Sequence, residues 1–140
     1  MSGLIAAALA AAAFDVNGVA LGATEQEVKS AFPHANCRAL EWPSRAAERR
    51  CDDSRIQFAG IDASITFYLK RDAVEGIDVR FDQHQRETVA KFLRGRYGSP
   101  GPREWKMRGE RARLTAEQSR RRASLLVWRG SFEEELYKIR

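Results

Sequence analysis

Polar and apolar positions recur along this chain with two different periods, and the changes of period mark its elements. Behind Thr24, the residues Val28, Ala31 and Phe32 fall on one face at helical spacing until Pro33 ends the run. Behind Asp82, the residues Val89, Phe92, Leu93 and Tyr97 form a longer stripe, and Gly98 followed by Pro100 predicts a C-cap and a stop. Behind Ser131, Phe132, Leu136 and Ile139 predict a short terminal helix, with an edge strand over the same residues as the alternative. All three helices begin with the same local chemistry. In Thr24-x-x-Glu27, Asp82-x-x-Gln85 and Ser131-x-x-Glu134, a short polar side chain can accept from the backbone N–H three residues on, while the Glu or Gln there reaches back.

Between the first two helices the period falls to two. Ala63 to Phe81 predicts a hairpin that turns at Arg71-Asp72, with Ile65, Phe67, Leu69, Ile77, Val79 and Phe81 pointing inward. Ser64, Thr66, Tyr68, Lys70, Asp78 and Arg80 then share the opposite face. The segment from Ile56 to Gly60 is expected to pair with this hairpin. Later strands are expected over Trp105 to Arg108 and over Ser124 to Arg129, where Leu125-Leu126-Val127-Trp128 is the uninterrupted apolar run of a central strand. RAAERR and the rest of Arg103 to Arg122 are polar enough to predict loops.

Two segments, EVKSAFPHANCRALEW and TVAKFLRGRYGSPGPREW, each pass from an amphipathic helix through a proline stop to a strand ending in Glu-Trp. That order would suit two degenerate helix-plus-sheet units. The fold class expected is therefore α+β, an antiparallel β-sheet with helices packed on one face.

A leader changes the setting in which this domain folds. The apolar run Leu4 to Phe14 is far shorter than the roughly 20 residues of a membrane-crossing helix. Its alanines match the core of a signal peptide with A-x-A cleavage options around Ala10 to Ala13, although no Lys or Arg precedes it. The alternative is an N-terminal helix, favoured by alanine but with almost no large side chain to dock. The expectation is a leader over residues 1–13, a single domain over residues 14–140, no stable membrane anchor, and a periplasmic or secreted location. In an oxidising compartment Cys37 and Cys51 are most simply a disulfide; zinc bound by His34, Cys37, Cys51 and His84 is the alternative, without a recognised ligand spacing.

The 140 residues fit one core, and the net charge of +5 comes from 19 Arg and 5 Lys against 19 acids. That arginine bias can also reflect base composition, so it carries little weight toward a polyanion partner. Candidate chemistry is sparse. The two histidines stand in no recognised catalytic arrangement, Asp52-Asp53 reads as a solvated pair in a loop, and Gly95 to Gly98 ends a helix where a phosphate cradle must open one. REWKMRGERARLTAEQSRRR has enough basic residues and a Trp to follow phosphates and stack a base, but Glu104, Glu110 and Glu117 interrupt it, and a solvated hairpin loop is the simpler reading. Trp105 and Trp128 fall on apolar sides of their strands. Trp42, before Pro43, sits in a loop where an exposed aromatic can act as an interface anchor.

The order GVALGATEQEVKSAFP, Cys37 and Cys51, QFAGIDASITFYL and RGRYGSP resembles the exported small proteins of the BamE/SmpA and β-lactamase-inhibitor-protein-like group over about residues 14 to 130. In that group a Leu-Gly-x-Thr segment starts a helix and helices pack on one face of an antiparallel sheet. The resemblance implies an exported scaffold that acts by protein–protein contact. The lipoprotein members of the group carry a Cys just after the leader, and here none precedes Cys37. The function expected is thus a non-catalytic module, without cofactor or metal, that binds another envelope or secreted protein and no nucleic acid. Its candidate contacts are Tyr68, Arg80, Lys106 and Arg108 on the exposed sheet face. Inhibition of a secreted or host enzyme is one alternative, and binding of nucleic acid by an arginine-rich protein is another.

Overall fold

In the computed structural model, which describes residues 13–102, 104–117 and 121–139, the chain builds two helix-led meanders that share one sheet. Apart from Ala13, the leader expected over residues 1–13 lies outside the described residues. A small hairpin of β1 (Asp15–Val16) and β2 (Val19–Ala20) comes first, turning at Asn17-Gly18. Helix α1 (Glu25–Ala31) leads into β3 (Asn36–Ala39), β4 (Arg49–Phe58), β5 (Ile61–Lys70) and β6 (Ala73–Asp82). A 3₁₀ turn over Gln83–Gln85 runs into α2 (Arg86–Tyr97), which leads into β7 (Trp105–Met107), β8 (Glu110–Glu117) and β9 (Arg122–Arg129). The chain closes with α3 (Phe132–Glu135) and a 3₁₀ turn over Leu136–Lys138. The seven strands lie in the order β3-β4-β5-β6-β9-β8-β7, and every neighbour pair is antiparallel. Helices α1 and α2 therefore each feed one edge of the sheet, and the meanders meet at β6 and β9.

The local signals act largely as expected. At α1 the Glu27 N–H donates to Thr24 Oγ1 at 3.2 Å and the Thr24 N–H donates to Glu27 Oε1 at 2.8 Å, closing the capping box. Asp82 caps the 3₁₀ turn, accepting from the His84 N–H at 2.8 Å. Gly98 ends α2 with a positive φ of 81°. Ser131 makes no capping hydrogen bond from its side chain, yet the helix over Phe132 forms, held by packing. The β5–β6 hairpin has the expected turn, with Arg71 and Asp72 both at positive φ, and pairs Ile65 with Val79 and Phe67 with Ile77. A bulge between Tyr68 and Leu69 then brings Val74 opposite Leu69.

Two stretches expected as loops are strands. Glu110 to Glu117 forms β8, between β7 and β9, with Ala112 opposite Val127 and Leu114 opposite Leu125. The residues Arg49-Arg50 of RAAERR begin β4, while Ala46 and Ala47 ahead of them are buried. Arg108 lies one residue beyond β7 in the Arg108-Gly109 turn, where both residues have positive φ. Glycine in the second place suits that two-residue turn and closes the hairpin that β8 requires.

Residues directly opposite on neighbouring strands share a face, so the register sorts the sheet into rows. The inner rows run Cys51, Phe67, Ile77, Val127, Ala112 and Trp105, then Ile65, Val79, Leu125 and Leu114. They form the main core with Val28 and Phe32 of α1, Val89 and Leu93 of α2, and Phe14, Val16 and Val19 from the N-terminal hairpin. Helices α1 and α2 thus cover one face, as expected. Helix α3 does not join them: Phe132, Leu136 and Ile139 pack with Tyr68, Leu126, Trp128, Ala46 and Ala47 in a second, smaller core on the opposite face.

Candidate interaction face

The described outer face sorts into three rows. The first runs Arg50, Tyr68, Gly76, Trp128, Arg111 and Lys106. The second runs Asp52, Thr66, Asp78, Leu126 and Arg113, and the third Ser64, Arg80, Ser124 and Thr115. The C-terminal segment covers the middle of the first row, at Tyr68, Gly76 and Trp128, and Leu126 of the second.

Its anchor is a close approach at Gly76. A Cβ placed there would come within 2.3 Å of the Phe132 ring, so the absent side chain of Gly76 is what lets Phe132 lie against the strand. Phe132 also meets the Tyr68 ring at a centroid distance of 5.4 Å. The rims of this small core are cationic. Arg50 lies over the Tyr68 ring at 5.5 Å and Arg113 over the Trp128 ring at 4.9 Å, and Arg113 Nη2 donates to Glu133 of α3 at 2.8 Å.

Beside it, the second row holds a charge network. The Arg50 guanidinium donates to both oxygens of Asp52, at 2.7 and 2.9 Å; Arg38 adds a third contact at 2.9 Å and the Thr66 hydroxyl a fourth at 2.6 Å. Burial pushes the Asp52 carboxyl upward, but these hydrogen bonds and the charges of Arg50 and Arg38 outweigh it and hold the group below its ordinary value. Asp52 is therefore a half-buried hub on β4, not half of a solvated pair in a loop. The Asp78 side chain, 1% exposed, pairs with Arg80 at 3.2 Å.

Beyond this network the outer face is open. The β4–β5 turn region, the end of β6 and the start of β9 surround a groove of about 600 Å³. Arg55, Arg80, Arg121 and Arg122 line it against two carboxylates, Asp62 and Asp82, with Ser54, Gln57 and Ser64 between them. Asp82 is held below its ordinary value chiefly by the hydrogen bond from the His84 N–H, and by the His84 ring at 2.8 Å. The described lining thus carries more positive than negative groups, and Ile56, Ala63 and Phe81 add apolar side chains to it.

The four contact residues named from sequence part company here. Tyr68 lies on the expected face but is 1% exposed, because alternation assigns a side chain to a face and does not report what covers that face. Arg80 is partly exposed and lines the groove. Lys106 is exposed at the far edge, three strands across from Arg80 and level with Gly76, four residues along the strand. There it borders a separate, more apolar cavity of about 540 Å³ with Tyr97, Trp105 and Met107. Arg108 belongs to the turn beyond Lys106. The groove's other arginines escaped sequence reasoning; Arg121 and Arg122 fell within the stretch read as a loop, and only the register of β9 brings Arg122 beside Asp82.

Elsewhere the chemistry is structural. Cys37 and Cys51 are bonded, directly opposite in the β3–β4 register. Both sulfurs are therefore committed, and the zinc alternative loses its thiolates. Glu25, near this bridge, is held below its ordinary value first by its hydrogen bond to Arg49, whose Nε and Nη2 meet its oxygens at 2.6 and 3.1 Å. Trp105 is 6% exposed and donates from Nε1 to the Gly98 carbonyl at 2.7 Å, so its indole is not open to a stacking base. Trp42 is 72% exposed, the one large hydrophobic side chain so exposed among the described residues. Compared with protein-family models, curated proteins and solved structures, the chain has no match in any of the three.

Proposed function

We propose that this protein is an exported, non-catalytic binding module that holds another envelope or secreted protein on the open part of its outer sheet face, centred on the groove around Arg80. The observation that carries this reading is the uneven cover of that face. The C-terminal segment packs over Tyr68, Leu126 and Trp128 and stops short of Ser64 and Arg80, which line the groove together with Arg55, Arg121 and Arg122. A groove of that charge suits an acidic segment of a partner, since guanidinium groups pair carboxylates bidentately. The Cys37–Cys51 bridge supports a non-reducing compartment, and no helix among the described residues is long and apolar enough to cross a membrane. The two helix-led meanders support the idea of two degenerate helix-plus-sheet units, and with the bridge they fit the resemblance to the BamE/SmpA and inhibitor-protein-like group.

The test is site-specific photo-crosslinking in intact cells. A crosslinker at Ser64 is expected to trap one envelope or secreted protein, and Arg80→Glu with Arg122→Glu is expected to abolish that adduct. The same crosslinker at Lys91, on the outside of α2, is expected to trap none. Equal labelling from both positions, or an adduct indifferent to the two charge reversals, would refute the groove as the binding surface.

Trp42 favours a second reading, inhibition of a secreted enzyme. The loop over 40–48 is fastened at its base by the disulfide, by the Leu40 N–H to the Glu48 carbonyl at 2.8 Å, and by the buried Ala46 and Ala47. It presents Trp42 to solvent at low entropic cost, as an interface anchor requires. Under this reading Trp42→Ala, and not the arginine reversals, would release the partner.

A further inference from the structure

Glu110 is a carboxylate in an unexpected place. It opens β8 on the same side as Ala112 and Leu114 and is 8% exposed. Its Oε1 accepts two hydrogen bonds from the other end of the chain, from the Ala13 N–H at 2.9 Å and the Phe14 N–H at 3.0 Å. The nearest cation in the register, Arg129, is already engaged by Glu75 at 2.8 and 3.0 Å. The residues directly after Ala13 are firmly placed: Phe14 is 1% exposed with its ring edge-on to Tyr97 at 4.8 Å, and Asp15 pairs with Arg96 at 2.8 Å. Two consecutive backbone nitrogens converge on one buried anionic oxygen. They are also the nitrogens that cleavage at the end of the alanine run would set free.

We propose that Glu110 is the seat of the α-ammonium of a processed chain. A signal-peptidase-type hydrolysis at the Ala13–Phe14 bond, or at the bond before it, adds water across the peptide. The C–N bond breaks, the alanine on the leader side leaves as a carboxylate, and the released amine takes up the proton. The new ammonium then stands where a neutral N–H stood, against the same oxygen. A neutral amide donor becomes a charge-assisted one, about twice as strong. Processing and folding are thereby coupled, because the mature terminus completes an ion pair that the precursor lacks.

This inference rests on the export reading, and two measurements separate their failures. First, a chain starting at Phe14 with a free amine is compared with the same chain N-acetylated, which keeps the N–H donor and removes only the charge. The free amine is expected to melt roughly 3–5 °C higher at neutral pH. An ammonium stabilised by Glu110 has its folded pKa raised above the unfolded value of about 7.7–8.0. Its contribution is complete below that value and is lost as pH rises through the folded pKa, so the two melting curves should converge in alkali. In Glu110→Gln the two forms should melt alike at every pH. Equal melting in the native sequence, or a difference that survives Glu110→Gln, would overturn the proposal. Second, the intact mass of the exported protein is expected to place its terminus at Phe14 or Ala13. An exported chain starting elsewhere overturns the seat and leaves export standing, whereas a full-length polypeptide in the cytoplasm overturns both.

Discussion

On the inner face of the sheet, Ile65, Phe67, Ile77, Val79, Leu125 and Val127 make an unbroken apolar floor under two helices and a hairpin; on the outer face, the apolar surface is confined to Tyr68, Leu126 and Trp128, under the short C-terminal segment and Ala46 and Ala47. The difference lies in what each cover can hide. Helices α1 and α2 bring Val28, Phe32, Val89 and Leu93 down onto β-branched and aromatic side chains of several strands. Helix α3 brings Phe132, and it fits only because Gly76 has no side chain in its path. Removing water from apolar area contributes roughly 25 cal/mol per Å², so the inner layer dominates stability and the outer one is the less cooperative part. A face whose apolar core is this small and bordered by arginines has surface left for something else.

The largest test of this contrast is a truncation in the inner floor. Phe67→Ala removes a ring that is 0% exposed at the middle of that floor, and is expected to cost about 3–5 kcal/mol in denaturant unfolding, lost as one cooperative transition. If instead Phe67→Ala left the unfolding midpoint almost unchanged, the inner layer would not be the principal core.

Reducing the Cys37–Cys51 bridge comes next, at about 3 kcal/mol for a loop of this length. The loss should fall unevenly. Cys51 continues the inner row through Phe67, but the segment the bridge closes carries Ala46 and Ala47 of the outer core. Amide exchange after reduction is expected to rise first over 36–48 and over Phe132 to Ile139, with β5 and β6 still protected. Uniform exchange across the sheet would show the two layers to be one unit.

Gly76→Ala separates the layers more finely, because its Cβ meets only the outer cap. The Phe132 ring must move, with an expected cost of about 1–3 kcal/mol and a change in the fluorescence of the neighbouring Trp128. Pairing it with Phe132→Ala should give less than the sum of the single effects, since the clash disappears with the ring.

Much of this architecture could be read from residues, and the failures share a cause. The inner floor was legible because Ile65, Phe67, Ile77 and Val79 are large and strictly alternate. Strand β8 was not, because its inner positions, Ala112 and Leu114, alternate with Arg111 and Arg113 and follow Glu110, so the period of two is carried by few apolar side chains among long charged ones. Those arginines serve the strand by pairing Glu104 and Glu133. The burial of Tyr68 was present in the sequence in another form. An uninterrupted Leu125-Leu126-Val127-Trp128 is a strand covered on both sides, and the register then puts Tyr68 in the row of Trp128. The arginine groove depends on ends of strands that are distant along the chain, and periodicity alone does not bring them together.

The smallest effect concerns the polar row that borders the outer core. The Asp52 carboxyl is held below its ordinary value, so its ionised form is favoured in the folded chain. Its contribution is present above the unfolded value of about 3.9 and is lost as pH falls through the folded pKa. Denaturant midpoints measured between about pH 2 and pH 6 should decline on the acid side, and Asp52→Asn should flatten part of that decline while costing stability at neutral pH, where Arg50 and Arg38 lose their shared partner. Thr66→Val removes only the hydroxyl that donates at 2.6 Å. It should leave the carboxylate ionised at neutral pH and move the acid limb upward, because one of the bonds that favours the charged form is gone. An acid limb identical in Asp52→Asn and the native protein would place the acid sensitivity with Glu25 and Arg49 on the helix-bearing side instead, and the outer face would then owe its order to Phe132 rather than to its charge network.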